Sequence, residues 1–192
     1  ALIDRSAGSL LSMAEALTNL VWAPLNHGLK GVSMSANWMW PCKNKGEDAR
    51  LYEAVEAVSD FACDLGINIP TGKDSLSMTQ KYKGNDVVYS PGTVIISTVA
   101  EVENIRNIVE PVLVKDVNTH LLYIDLSFDE FKLGGSSFAQ VVNTLGNEAP
   151  TITDSEYFRK GFETIQYLIK NGFILAGHDI SAGGMITALL EM

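Results

Sequence analysis

Residues 32–66 read VSMSANWMWPCKNKGEDARLYEAVEAVSDFACDLG, and this stretch changes its hydrophobic period at a loop that ends in Gly46. Over residues 32–38 apolar and polar side chains alternate, which predicts a strand with one buried face. Residues 47–65 then carry apolar side chains at helical spacing, and Gly66 provides a stop signal. The stretch therefore predicts a strand followed by a long amphipathic helix in a mixed α and β protein.

Further elements are predicted on both sides of this stretch. Residues 8–23 carry apolar side chains at helical spacing, and the turn residues 83–86 lie between two strand-like runs, which predicts a hairpin. The near-continuous apolar run over residues 93–100 is typical of a strand buried on both faces. The other predicted elements are a strand over 120–126, a helix from 134 to 145, a helix over 155–170, a strand over 173–176 and a helix after residue 184.

These elements fall into two units. The first unit covers residues 1–103, a connection of mixed charge covers 104–118, and the second unit covers 119–192. The chain lacks an initiator Met and stops at Met192 inside an apolar helical pattern without a stop signal. We therefore expect it to be a piece of a longer protein.

Composition and charge exclude several classes of protein. Of 192 residues, 46% are hydrophobic and 19% charged, which is typical of a globular chain. The net charge is −9, and because an acidic surface repels phosphate backbones, we expect no nucleic-acid partner, although a small phosphate can bind through Mg²⁺. Two cysteines without CxxC spacing predict neither a disulfide framework nor a zinc site. The lack of a membrane-length apolar run and of a signal-peptide pattern favours a cytoplasmic protein.

Glu15 and Asn19 lie one helical turn apart on the first predicted helix. Their i, i+4 spacing stacks a carboxylate and an amide carbonyl on one face, and such hard oxygen donors suit Mg²⁺. Leu11 and Trp22 flank the pair, which favours a face that is not simply solvated. The alternative is an ordinary exposed face with no ligand.

The motif TGKDS at residues 71–75 follows a strand-like run. Its glycine permits a close backbone approach, Lys73 can neutralise a phosphate, and Asp74 can hold a metal. The spacing of a P-loop is absent. The alternative is a polar turn with a solvated lysine.

The motif HDISAGG at residues 178–184 combines an acid with a glycine-rich helix start. Free N–H groups and the positive end of the helix dipole suit an anion there. Asp179 could hold a cation beside that anion, and Ser181 could bond a phosphate oxygen. The alternative is that Asp179 or Ser181 only caps the helix.

Five segments occur in a specific order along the chain. They are AEALTN at 14–19, SANWM at 35–39, GEDARLY at 46–52, GKDSLSM at 72–78 and HDISAGG at 178–184. In this order they resemble phosphoribosylformylglycinamidine synthase in its large single-chain form, and the resemblance covers essentially the whole chain. It implies an α+β fold made of an aminoimidazole-ribonucleotide-synthase-like A subdomain, with a mixed sheet and helices on one face, plus the start of a B subdomain.

The resemblance also assigns the units and an activity. It implies that residues 1–103 are the second A-type subdomain, 104–118 the connection and 119–192 the start of the second B-type subdomain. Enzymes of this family use ATP, Mg²⁺ and glutamine to convert formylglycinamide ribonucleotide into formylglycinamidine ribonucleotide, a step of de novo purine synthesis. The implied partners are the rest of the parent chain, namely its first synthase repeat and its glutaminase domain, and self-association of the isolated piece is a further expectation.

The resemblance also assigns site residues of the family to individual positions of this chain. Glu15, Asn19 and Asp179 match Mg²⁺ ligands of an auxiliary site for ATP or ADP, and Ser181 matches a nucleotide contact of that site. Lys73 and Asp74 resemble a loop that contacts phosphate and metal in related ATP enzymes; no residue matches a catalytic one.

One position departs from the wider superfamily, where an acid often follows the serine. Ala182 stands there in this chain, and its side chain has no oxygen that could bind a metal. Two alternatives stay open: a non-catalytic module whose nucleotide is structural, and a small kinase or synthase of the same superfamily.

Overall fold

A computed structural model describes residues 1–192 as a mixed α and β structure, as predicted. None of its helices combines the length and the apolar character that crossing a membrane requires. The helices are α1 (Arg5–Leu20), α2 (Glu47–Leu65), α3 (Ser137–Val141), α4 (Ser155–Lys170) and α5 (Gly184–Glu191), and the strands are β1 (Ser33–Met39), β2 (Asn68–Ser75), β3 (Thr79–Lys81), β4 (Val87–Tyr89) and β5 (Thr93–Val99).

The main sheet has three strands in the order β2-β1-β5. β1 runs parallel to β2 and antiparallel to β5, so the sheet is mixed. Asn37 at the centre of β1 pairs with Lys73 on one side and with Ile95 on the other. β3 and β4 form the predicted hairpin as a separate two-stranded sheet.

The helices α1 and α2 cover one face of the main sheet, where Met34, Ala36 and Val94 are buried. On the opposite face Ile95 is 50% and Val99 66% exposed. The prediction that this strand is buried on both faces is therefore wrong, because β5 is an edge strand of a sheet with helices on one side only.

The core also includes α4, although α4 comes from the C-terminal part of the chain. Its predicted apolar stripe is confirmed, because Phe158, Phe162, Ile165 and Ile169 are all buried in one cluster with α1 and α2. The rings of Phe61 and Phe158 meet edge to face with centroids 5.3 Å apart. The residues that fold around the sheet are thus drawn from both ends of the chain.

The TGKDS motif lies on a strand and not in a turn. Residues 71–75 belong to β2, and a Cβ at Gly72 would lie 2.1 Å from the carbonyl oxygen of Ala36. The absent side chain lets the backbones of β1 and β2 approach closely. The segment is a polar edge strand. Its side chains do not alternate between apolar and polar, so the hydrophobic pattern of the sequence does not identify it as a strand.

Three elements of the second unit differ from prediction. Residues 120–126 and 173–176 form no strand. Neither segment pairs with another strand, and the backbone hydrogen bonds of a β-sheet need two adjacent strands. Their apolar side chains, among them Leu122 (75% exposed), were the source of the prediction. The helix expected to reach residue 145 ends at Val141, since Asn143 adopts a φ of 53° that an α-helix does not tolerate.

Candidate functional site

The helix α1 presents Glu15 and Asn19 on its exposed side. The helix starts where the side chain of Asp4 accepts a hydrogen bond from the backbone nitrogen of Ala7 at 2.8 Å. Burial of Met13, Ala14 and Leu17 against the core then fixes how the helix is rotated. Glu15 and Asn19 are therefore directed away from the core and remain exposed.

A groove with a volume of about 420 Å³ lies between α1 and β5, and both predicted ligands line it. Because β5 is an edge strand, no further strand lies beside this groove. The helix side is polar and the strand side mainly apolar. The lining residues are Ser12, Glu15, Ala16, Asn19, Val94, Ile95, Ile96 and Thr98.

The donor chemistry of the groove fits a hard cation. The carboxylate of Glu15 and the side-chain amide of Asn19 make no hydrogen bond or ion pair with another residue, so both are free to bind a ligand. Mg²⁺ takes about six oxygen ligands and usually keeps waters or substrate phosphates among them. The chain would supply two of those ligands here, and a bound phosphate and water would supply the others.

Lys73 and Asp74 lie on the other edge of the sheet, separated from the groove by β1. Two strand spacings amount to about 10 Å. Both side chains are exposed, and the ammonium of Lys73 is 3.4 Å from the hydroxyl of Ser75. The structure therefore does not bring Lys73 and Asp74 to the groove that Glu15 and Asn19 line.

The HDISAGG motif forms a loop that ends at α5. The side chain of Asp179 is 11% exposed, and His178 lies between it and the carboxylate of Glu191, with 3.2 Å between His178 Nε2 and Glu191 Oε2. The N-cap of α5 is Gly183, which has a φ of 93° and no side-chain hydrogen bond to the helix. The capping alternative is therefore wrong for both Asp179 and Ser181, and Ser181 is exposed.

Through Gly177 the loop packs against Trp22, two residues past the end of α1. A Cβ at position 177 would lie 2.0 Å from the indole ring of Trp22, which shows how closely the two residues meet. Nowhere in the chain do three His, Cys, Asp or Glu residues form a group that could hold a metal. Glu15, Asp74 and Asp179 thus do not converge into one complete protein-only site.

The two cysteines lie in different environments, and that of Cys42 disfavours a nucleophile. Burial raises the pKa of the Cys42 thiol, and the nearby carboxylates of Asp48, Glu47 and Asp74 raise it further, so the reactive thiolate is disfavoured. Cys63 lies on α2 next to the apolar stripe but is exposed. The reason is that α2 buries the neighbouring positions Phe61 and Ala62 instead.

Sequence reasoning missed several residues that line the groove. Ser12 and Ala16 share the helical face of Glu15 and Asn19, so the i, i+3, i+4, i+7 pattern could have identified them. The residues of β5 carry no such signal, because only the packing of a distant strand against α1 brings them there.

Comparisons with known proteins agree on one family. The family model described as the FGAR-AT PurM_N-like domain matches residues 1–101. A Caenorhabditis elegans protein named probable phosphoribosylformylglycinamidine synthase is 41% identical over 202 aligned residues, which cover 100% of this chain and 15% of that protein. An Arabidopsis thaliana protein named probable phosphoribosylformylglycinamidine synthase, chloroplastic/mitochondrial, is 41% identical over 192 residues, which cover 100% of this chain and 14% of that protein. The chain thus spans about one seventh of the length of these relatives.

Proposed function

Because the chain belongs to the FGAR-AT PurM_N-like domain family, we propose that it functions as part of a phosphoribosylformylglycinamidine synthase. That enzyme would convert formylglycinamide ribonucleotide into formylglycinamidine ribonucleotide in de novo purine synthesis, as an ATP-dependent ligase with a glutamine amidotransferase activity. Full-length similarity to two proteins of that name supports the proposal. We assign no catalytic residue to this chain.

We propose that the chain contributes two subdomains to the enzyme. Residues 1–103 form the second A-type subdomain, 104–118 a connection, and 119–192 belong to the second B-type subdomain. In support, the family model covers residues 1–101, and all three strands of the main sheet lie in that range.

The site that we propose is one half of a nucleotide–Mg²⁺ site in the groove between α1 and β5. The observation that carries this proposal is that Glu15 and Asn19 both line the groove with free oxygen donors. Asp179 and Ser181 are not among the residues that line the groove, and from the loop before α5 they would add a metal ligand and a phosphate contact. ATP or ADP would provide the phosphate oxygens when bound.

Lys73 and Asp74 would make a separate contact with phosphate and metal. We place it elsewhere because β1 lies between them and the groove. The exposed edge of β2 gives both side chains free access to a ligand carried by another part of the enzyme.

The partners would be the other parts of the same enzyme, namely its first synthase repeat and its glutaminase domain. The exposed sheet face with Ile95 and Val99 supports this, since apolar side chains on an open sheet face gain stability when covered. We expect the isolated chain to self-associate through this face; a monomer in light scattering would contradict that.

We propose a cytoplasmic location for the enzyme. The Arabidopsis relative is named as chloroplastic/mitochondrial, so the compartment needs its own test. Imaging of the tagged full-length protein in its own cells would decide, and signal confined to an organelle would overturn the proposal.

The test of the nucleotide site is calorimetric titration of the full-length protein with ADP in the presence and absence of Mg²⁺. We expect Glu15→Ala and Asn19→Ala each to weaken the Mg²⁺-dependent affinity by at least about tenfold. Thr18→Ala is the matched control, because Thr18 lies on the same helix and bonds only the backbone of Glu15. Unchanged affinity in both ligand variants would show that the groove is not the site.

A further inference from the structure

The indole of Trp22 lies so close to the backbone of Gly177 that no side chain fits at position 177. A Cβ at residue 177 would meet Cζ3 and Cε3 of the indole at 2.0 and 2.4 Å. Gly177 is buried and its φ is not positive, so the backbone conformation does not require glycine there. What requires it is the indole of Trp22, which takes the space of the missing side chain.

A backbone bridge fixes the two residues from the other side. The nitrogen of Val109 donates to the carbonyl oxygen of Trp22 at 2.9 Å, and the nitrogen of Gly177 donates to the carbonyl oxygen of Glu110 at 3.2 Å. Two consecutive residues of the connection thus hold Trp22 and Gly177 together. The indole Nε1 is buried without a hydrogen-bond partner, so the ring is placed by shape alone.

The position of this contact in the chain gives it a role. Trp22 follows Asn19 by three residues, just past the end of α1, and Gly177 precedes Asp179 by two. The ring contact and the bridge at residues 109–110 thus join the segment that follows α1 to the loop that carries Asp179. A shift of the loop against Trp22 would move Asp179 relative to Glu15 and Asn19.

We propose that Trp22 and Gly177 form a latch, meaning the indole seated on the side-chain-free backbone of Gly177, that positions Asp179 relative to Glu15 and Asn19. Both are positioning residues and neither contacts the ligand. The inference rests on the proposed nucleotide–Mg²⁺ site. It adds that the geometry of this site depends on a shape match between two residues that bind nothing themselves.

The experiment compares the full-length protein with Gly177→Ala, Trp22→Ala and the double variant. Hydrogen exchange of amides 177–184 reports the loop directly, and titration with ADP and Mg²⁺ reports the site. We expect Gly177→Ala to speed exchange in this loop and to weaken the Mg²⁺-dependent affinity by about tenfold, as typical of losing an outer-shell contact. In the double variant the new methyl group has room, so part of the lost affinity should return.

A matched control separates positioning from general stability. Trp40→Leu leaves a cavity at a fully buried tryptophan that contacts Gly92, far in sequence from the loop, and should lower the melting temperature without changing exchange in residues 177–184. The latch is overturned if Gly177→Ala leaves loop exchange and affinity as in the wild type. It is also overturned if exchange rises while affinity stays within about twofold, because the contact would then not position the site.

Failure of the latch and failure of the proposed function give different results. If ADP binds the wild type equally well without Mg²⁺, and binds Glu15→Ala and Asp179→Ala as well as the wild type, the proposed site is wrong. The positioning role is then overturned with it, whatever the exchange data show. If ADP binding depends on Mg²⁺, Glu15 and Asp179, but the double variant binds ADP no more tightly than Gly177→Ala, the site stands and the latch is wrong.

Discussion

The side chain of Gln166 on α4 accepts a hydrogen bond from the backbone nitrogen of Leu25 through its Oε1 at 2.9 Å, across 141 residues of sequence. Its Nε2 donates to the carbonyl oxygens of Val21 at 2.5 Å and Ala23 at 2.9 Å. Every polar atom of this buried amide is therefore satisfied by the segment that leaves α1. α4 thus fixes the path of residues 21–25, which follow Asn19 and include Trp22.

Gln166→Ala should lower the free energy of unfolding by about 2–4 kcal/mol. The substitution removes one buried amide and leaves three backbone groups without partners, and each unsatisfied buried group is costly. Urea unfolding provides the measurement. Gln80→Ala is the control, since Gln80 is exposed on the hairpin and should change stability by less than about 0.5 kcal/mol. Equal effects of the two variants would contradict the hydrogen-bond pattern.

Ser9→Ala should raise the free energy of unfolding by about 1 kcal/mol. The hydroxyl of Ser9 is fully buried in α1 and has no hydrogen-bond partner, so its removal relieves a desolvation penalty and improves helix propensity. Ser12→Ala is the comparison, because the Ser12 hydroxyl donates to the carbonyl oxygen of Gly8 at 3.0 Å. A loss of stability in Ser9→Ala would mean that the hydroxyl has a partner after all.

Acid should remove a stabilising contribution of Asp129. The hydrogen bond from Lys132 holds the pKa of the Asp129 carboxyl below its ordinary value. A carboxyl whose pKa is lower in the folded than in the unfolded state stabilises the fold above the unfolded pKa of about 4, and the contribution is lost as pH falls through the folded pKa.

Melting temperatures between about pH 6 and pH 3 test this. Asp129→Asn and Lys132→Met should each lower the melting temperature at about pH 6, because either change removes the ion pair between the two residues. For the same reason, the melting temperature of each variant should fall less steeply toward pH 3 than that of the wild type. An unchanged slope in both variants would refute the assignment.

Alkylation should distinguish the two cysteines. Cys63 is exposed, whereas Cys42 has a raised pKa caused first by burial and then by surrounding carboxylates, so at pH 8 it holds less thiolate. Iodoacetamide followed by peptide mass spectrometry should label Cys63 several-fold faster. The difference should vanish in urea; faster labelling of Cys42 in the folded protein would overturn this account.

Asp179→Asn in the full-length enzyme should separate a structural nucleotide site from a catalytic one. We expect the variant to lose thermal stability and to keep normal turnover per folded molecule. This is the result for a nucleotide that only joins subdomains. Asp86→Asn, in the exposed hairpin turn, is the control. Lost turnover at unchanged stability would contradict an auxiliary role for the site.

The elements that sequence predicted correctly are those with their own hydrophobic period. The stripe of α4 and the alternation of β1 each identified the side that is buried, because burial repeats with the geometry of a helix or strand. The segments at 120–126 and 173–176 have the same apolar character but no pairing strand. The period of a sequence reports which side chains avoid water and carries no information on whether a partner strand is present.

The sequence alone determined the family resemblance, the α and β composition and the presence of Glu15 and Asn19 on one helical face. These features depend on residue type and local spacing, which a linear sequence contains. Only the tertiary structure decided that β5 forms the other wall of their groove, that β1 separates Asp74 from it, and that Trp22 fills the space above Gly177. Those relationships join residues from distant parts of the chain, and they follow from how the helices and the sheet pack around one shared core.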